Sequence, residues 1–355
     1  MLAFVWGPER ASFGGLSLLT DRKNEHLDIV LNGRGRASGR AGFDEIAFEH
    51  LALPELNMDD IDLSTTFLGK RINAPFLVSS MTGGPTRAAS INQNLAEACQ
   101  ALNLPLAIGS QRVAIEAGDN AGLGRELRRV APDIPLLANF GAAQLNLGFG
   151  VAQAQRAIEM IGANALIIHL NPLQEAVQPE GNRDWRGLLG CIEALAKTMP
   201  VPIVVKEVGA GISGPLARRL VDAGAAIIDV AGAGGTSWAL VEAERAHSPE
   251  KAAIARAFAD WGIPTTQAIV DVRQACPDTF VIGSGGVRDG IDAAKAIRLG
   301  ADLVGQAAGV LAAATQSADA VAAHFAVLAT QLRVACFCTG SANLSALRQA
   351  RLRHS

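Results

Sequence analysis

The chain has 355 residues, of which 49% are hydrophobic and 18% charged, and its formal net charge is -3. This length and apolar content support a sizeable core, exclude wholesale disorder, and suit one large domain with an appended arm better than two equal ones. The near-neutral charge leaves no global basic field for nucleic acid, so a small anion needs a local pocket.

The opening residues, MLAFVWGPER, lack the basic start and apolar centre of a signal peptide. Residues 21–27 open a short helix, and 31–40 (LNGRGRASGR) read as a flexible loop. Residues 41–73 read as a short helix and extended pieces that close the bottom of the domain. Eight short apolar runs follow: 75–80 (PFLVSS), 105–110 (PLAIGS), 135–141 (PLLANFG), 165–171 (ALIIHLN), 202–208 (PIVVKEV), 226–232 (AIIDVAG), 280–286 (FVIGSGG) and 302–307 (DLVGQA). They are too short for helices and apolar on both faces, as buried parallel strands are. Spacings of roughly 20 to 40 residues leave room for one helix per crossover. Eight such units suit an α/β fold of the (β/α)8 TIM-barrel type. A doubly wound open sheet is the alternative, but no GxGxxG opens the first unit. The expected organisation is an N-terminal extension and arm over 1–70 and a single catalytic barrel over 71–355.

Between the sixth and seventh strands lie roughly 50 residues, more than one helix needs. This insertion, 232–262, has a Gly-rich start and contains Trp238. Its place after a strand's C-terminal end makes it a candidate active-site lid, against the plainer reading of a surface excursion. No apolar run is read as approaching the roughly 20 residues of a membrane span. The five cysteines (Cys99, Cys191, Cys276, Cys336, Cys338) are odd in number and form no CxxC, which favours reduced thiols over disulfides or structural zinc. The expectation is a cytoplasmic protein that engages neither nucleic acid nor membrane.

Each strand ends in a polar residue: Ser79 or Ser80, Ser110, Asn139, His169 with Asn171, Lys206, Asp229, Ser284 and Gln306. A polar group on a buried strand is costly without a partner, so eight at one end of a barrel suggest a shared polar pocket. Ser79 and Asp229 are the first candidates for a purely structural place. After strands seven and eight, Gly283–Val287 and Gly305–Gly309 supply the small residues that let backbone N–H groups approach a phosphate. Lys206, set among Val204, Val205 and Val208, either pairs with a carboxylate (Glu207 is less apt because it faces the other way) or faces a bound anion. A phosphate site with an inward lysine fits FMN, because a cation beside the ring stabilises its anionic reduced form. Glu175, in the polar run HLNPLQE at 169–175, is a candidate ligand for a hard cation held mainly by substrate oxygens and water.

Together these residues resemble the type 2, FMN-dependent isopentenyl diphosphate isomerase family, from about Asp21 to beyond Gly309. The motifs are RKNEH at 22–26, MTGG at 81–84, GSQR at 109–112, HLNPLQE at 169–175, VKEVG at 205–209, DVAGAGGTSW at 229–238 and SGGV at 284–287. HLNPLQE and DVAGAGGTSW are specific, whereas SGG is common to many FMN barrels. The resemblance implies that Ser80, Met81 and Thr82 line the flavin and that Ser110, Asn139, Lys206 and Thr236 hold its ring and ribityl chain. It gives the phosphate to Gly285, Gly286, Val287, Ala307 and Ala308. It gives the substrate and its diphosphate to Arg22, Lys23, Ser110, Gln111, Arg112 and Gln174, and Mg²⁺ to Glu175. His169, Gln174, Trp238 and Glu242 would act at the reacting carbons. The implied reaction interconverts isopentenyl and dimethylallyl diphosphate by protonation and deprotonation, in isoprenoid biosynthesis, with the flavin reduced by NADPH. A homo-oligomer, tetramer or octamer, is also implied.

Two other functions remain to be weighed. An FMN oxidoreductase of the hydroxy-acid oxidase or dihydroorotate dehydrogenase kind would share the cofactor site, but needs a base opposite the flavin, often a His beside an Arg, and no strand end carries that pair. A phosphate-binding barrel without catalysis would not need Gln174, Glu175 and Lys206 together.

Overall fold

The computed structural model describes residues 13–81, 87–117 and 123–353. A hairpin, β1 (Thr65–Phe67) and β2 (Lys70–Ile72), precedes eight parallel strands. These are β3 (Phe76–Val78), β4 (Leu106–Ala107), β5 (Leu136–Gly141), β6 (Ala165–Leu170), β7 (Ile203–Glu207), β8 (Ile227–Asp229), β9 (Phe280–Ser284) and β10 (Leu303–Gln306). They close in the order β10-β3-β4-β5-β6-β7-β8-β9. The expected barrel is therefore present, and the open-sheet alternative is excluded because β10 pairs with both β3 and β9.

Strand side chains alternate between two cores, as the period of two requires. Leu77, Ala107, Leu137, Ile167, Val204, Ile227, Ile282 and Leu303 fill the lumen together with Phe67 and Ile72 of the hairpin. Their neighbours, such as Phe76, Leu106, Ile168 and Val205, pack outward with the helices. The hairpin thus plugs the bottom of the barrel. Two residues above each lumen position, the same parity carries Ser79, Asn139, His169, Lys206, Asp229 and Ser284 into the top of the lumen.

The arm departs from expectation. Its helix is Phe13–Leu31, longer than the short helix expected to open at 21–27. Residues 31–40 are not a free loop either. Arg36 forms an antiparallel bridge with Thr236, flanked by Ala37 N–H donating to Gly235 O (3.0 Å) and Ser237 N–H to Gly35 O (2.8 Å). The insertion after β8 carries two helices, Trp238–Arg245 and Pro249–Arg256. Its first part is stitched to the arm across the top face.

The expectation of no membrane-length apolar run needs correction. The helix Ala318–Cys338 is long and apolar enough to cross a bilayer by length and composition, with a mean hydropathy of 1.5. Val321, Phe325, Leu328, Leu332 and Cys336 recur on one stripe of it and are buried against the barrel helices. That stripe accounts for only part of its apolarity: 28% of the most apolar window is buried, and Val327 and Val334 are exposed.

Candidate active site

The buried polar strand ends are satisfied largely by one another. Register pairs Lys206 with Asp229 across β7 and β8. The lysine Nζ lies 3.7 Å from the Asp229 carboxylate and donates to Glu207 O at 2.8 Å. Asp229 also accepts from Ser284 Oγ at 2.5 Å. Glu207 turns outward, as its parity dictates, and accepts from the N–H groups of Val208, Gly209 and Ala210. The carboxylate partner of Lys206 is therefore Asp229, which ties β7 to β8. Ser79, expected to be merely structural, has a buried hydroxyl without a partner.

A cavity of about 250 Å³ opens above these residues. Asn139, His169 and Lys206 reach it from the lumen; Ser80, Met81, Ser110, Arg112, Gln174, Glu175, Trp238, Ala307 and Ala308 come from the βα loops. The helix Phe13–Leu31 adds Arg22, Lys23, His26, Leu27 and Val30. Among the described residues, Arg22 Nε and Lys23 Nζ are buried with no partner, as is Ser80 Oγ. Burial, helped by Arg22 and Arg112, pulls the Lys23 ammonium down to about 8, and burial also lowers Arg22. Glu242 and Glu180 act on Arg22 and Glu116 on Lys23 from a distance, but the two orphan donors in one cavity still suit an anion. The apolar wall of Leu27, Val30, Met81, Val113 and Leu311 suits a hydrocarbon beside it.

His169 shares the cavity, and its Nδ1 lies 2.8 Å from Asn139 Oδ1. The Asn139 amide donates to Ile108 O, so Oδ1 is the acceptor and Nδ1 carries the proton. Burial, then the charges of Lys206 and Lys23, lower this imidazole to about 4. It is neutral at pH 7, with Nε2 free to accept.

Glu175 is buried; Asn171 Nδ2 donates to its Oε1 (3.0 Å) and Asn182 N–H to its Oε2 (2.6 Å). Asn171 Oδ1 beside it is unpartnered. Among the described residues no three His, Cys, Asp or Glu cluster as a metal cage. Gln111 does not join the site. It is fully buried, donating to Ala157 O and accepting from Asn139 N–H, so it holds the barrel wall. Thr82 lies outside the described residues.

Glu242 stands behind the cavity. Its Oε1 meets His26 Nε2 and Gln174 Nε2, each at 3.0 Å, and its Oε2 accepts from Arg245 at 2.6 Å. Burial pushes this carboxyl up, but the bonds from His26 and Gln174 and the charge of Arg245 outweigh it and leave a net lowering. Arg245 also pairs with Glu25 (2.9 Å), and the His26 ring packs edge-on to Trp238 at 5.1 Å. Glu242 therefore latches the insertion to the arm and to Gln174.

A second cavity, about 430 Å³, adjoins the first through Lys206, Val208, Thr236, Ala307 and Ala308. Gly232, Gly234, Gly235, Gly285, Gly286 and Val287 line it. Gly285 and Gly286 have φ of 106° and 67°, where a Cβ would be strained and would meet Gly232 or Gly234 backbone. Among the described residues, the N–H groups of Gly286 and Val287 have no protein acceptor. This is a nest shaped for an anion. Gln306, counted above among the inward strand ends, faces outward, bonding Val287 O (3.1 Å) and His324 (2.5 Å). Gly33, Gly35, Arg36 and Arg288 also border the cavity and went unnoticed in the sequence. The Gly/Arg repeat at 33–36 was the available signal.

Comparison with known proteins bears on this arrangement. A family model described as FMN-dependent dehydrogenase matches residues 32–119 and 171–354. The isopentenyl-diphosphate delta-isomerase of Stutzerimonas stutzeri is 65% identical, over 94% of this chain and 97% of that one. Those of Xanthobacter autotrophicus and Synechocystis are 62% and 51% identical, each over 93% of this chain and 96% and 95% of theirs. Among solved structures, a mandelate oxidase variant superposes with a TM-score of 0.62 at 20% identity, covering 94% of this chain and 98% of its own. A flavocytochrome b2 variant superposes at 0.67 and 17% identity, covering 92% and 82%. Those two likenesses establish the fold alone. Identity above 60% along nearly the whole of both chains places the protein: it belongs to the FMN-dependent dehydrogenase family of barrels and, within it, to the isopentenyl-diphosphate delta-isomerases.

Proposed function

We propose that this chain interconverts isopentenyl and dimethylallyl diphosphate by a 1,3-allylic proton shift, using FMN reduced by NADPH, and Mg²⁺. One observation carries the reading: one cavity joins two buried cations with orphan donors, Arg22 Nε and Lys23 Nζ, to an apolar wall and to the Lys206 strand ends. The adjoining glycine nest fits the FMN phosphate, through Gly285, Gly286, Val287, Ala307 and Ala308. Ser80, Met81, Ser110, Asn139, Lys206 and Thr236 would hold the rest of the cofactor, and the orphan Ser80 hydroxyl would gain a partner. Thr82 is carried in this assignment by its motif only. Bound and reduced, the flavin supplies an electron-rich, proton-bearing surface beside the alkene.

The chain supplies the rest. An unactivated alkene is a poor base, so its protonation needs fixed geometry and stabilisation of positive character. Arg22, Lys23, Arg112, Ser110 and Gln174 bind the diphosphate end, and that remote binding orients the reacting carbons. Trp238 closes the wall over them, and His169, held neutral, adds no charge against the cationic transition state. Glu242 acts through Gln174 and His26, keeping the amide and the arm in place. Glu175 with Asn171 Oδ1 fits Mg²⁺, which takes one carboxylate and completes its shell with substrate oxygens and water. We also take the chain to assemble as a tetramer or octamer in the cytoplasm, with exposed Leu53 and Trp261 offering apolar surface.

Two outcomes test the reading. Purified protein should be yellow or take up FMN to one per chain; colourless protein that takes up none removes the cofactor. Lys23 is charged below about 8 and neutral above it, so affinity for inorganic diphosphate should fall as pH rises through that value. Lys23→Arg, which stays charged, should abolish the step. The same pH dependence in both proteins would contradict the role given to Lys23.

A further inference from the structure

The glycine nest in the second cavity offers N–H groups but little free positive charge. Three cations border it: Lys206, Arg288 and Arg36. Lys206 is paired with Asp229. Arg288 is committed twice, to Asp292 through Nε (2.7 Å) and Nη2 (3.0 Å), and to Asp44 through Nη2 (2.7 Å). These bonds hold its guanidinium above the ordinary range, so its charge is already met by two carboxylates. Arg36 differs. Its guanidinium makes no ion pair or side-chain hydrogen bond among the described residues, yet its backbone is fixed by the bridge to Thr236. Gly35, buried beside it, allows this close approach: a Cβ there would press on Val241. Arg36 is exposed at the rim of the cavity, so its anchored backbone leaves the guanidinium free to turn over the nest.

We infer that Arg36 caps the phosphate of the cofactor, reaching across from the N-terminal arm to close the nest that the β8 and β9 loops begin. A guanidinium meets phosphate oxygens in a forked, charge-assisted geometry that the nest's backbone N–H groups alone do not supply. The same arm carries Arg22 and Lys23 into the neighbouring cavity, so one segment would serve both anions. The inference rests on the flavin reading above, and its test separates the two.

Apoprotein is titrated with FMN and with riboflavin, which lacks the phosphate. In wild type, FMN should bind more tightly than riboflavin. In Arg36→Gln, FMN affinity should drop roughly tenfold while riboflavin affinity stays unchanged, and Arg36→Lys should recover part of the loss. FMN affinity in Arg36→Gln within about twofold of wild type would overturn the capping role, being far below the effect of a charge-assisted bond. Equal losses for both ligands would overturn it as well, because they would report a displaced arm rather than a phosphate contact. A wild type that binds neither, or does not prefer FMN, would instead defeat the flavin-phosphate reading itself.

Discussion

Replacing Lys206 with alanine is expected to cost the protein both its flavin and much of its stability. Asp229 is 1% exposed, and among the described residues the variant leaves its charge with Ser284 Oγ as its one remaining side-chain partner. Removing one member of a buried pair typically costs roughly 3–5 kcal/mol, because the other charge stays desolvated. FMN affinity should fall by at least roughly tenfold, the loss of one charge-assisted contact. The double variant Lys206→Met with Asp229→Asn separates the effects. It removes both charges, so stability should return while flavin affinity does not. Urea unfolding and FMN titration read the two quantities. A Lys206→Ala protein with wild-type flavin affinity and spectrum would refute the place given to this lysine.

Glu175→Gln is expected to raise the Mg²⁺ concentration for half-maximal rate by roughly 10–100-fold, with FMN binding unchanged. The substitution keeps the shape and one acceptor for Asn171 or Asn182, so folding should survive. Among the described residues, it removes the one carboxylate that borders the first cavity. Metal titrations of initial rate at saturating substrate distinguish this from a general loss of turnover. A lower rate with the same metal midpoint would mean that Glu175 only holds the 171–182 segment together.

Much of the barrel was legible because burial on both faces and a period of two are properties of each short run. The same parity made Asn139, His169 and Lys206 readable as lumen residues. It failed where the chain leaves the strand. β4 is two residues long, and Gln111, beyond it, turns into the wall rather than the cavity. Gln306 ends β10 on the outward parity and meets His324 on a distant helix. Composition also misled at 31–40, where Gly and Arg suggested freedom. The order there comes from pairing with 235–237, a long-range contact that local pattern does not encode. Glu242 was implied by the family resemblance although it lies outside the motifs, and its hub, formed with His26, 216 positions away, was not visible in the spacing. The helix Ala318–Cys338 escaped notice because His324, Gln331 and Arg333 interrupt its apolar stretch.

The measurement that bears most directly on function is turnover under reducing conditions. Purified protein, reconstituted with FMN and Mg²⁺ and reduced by NADPH in the absence of oxygen, should convert isopentenyl diphosphate to dimethylallyl diphosphate with no net consumption of reductant. It should lose that activity when the flavin is left oxidised. Fully loaded, reduced protein that leaves isopentenyl diphosphate unchanged, or that spends one NADPH per product, would contradict the account.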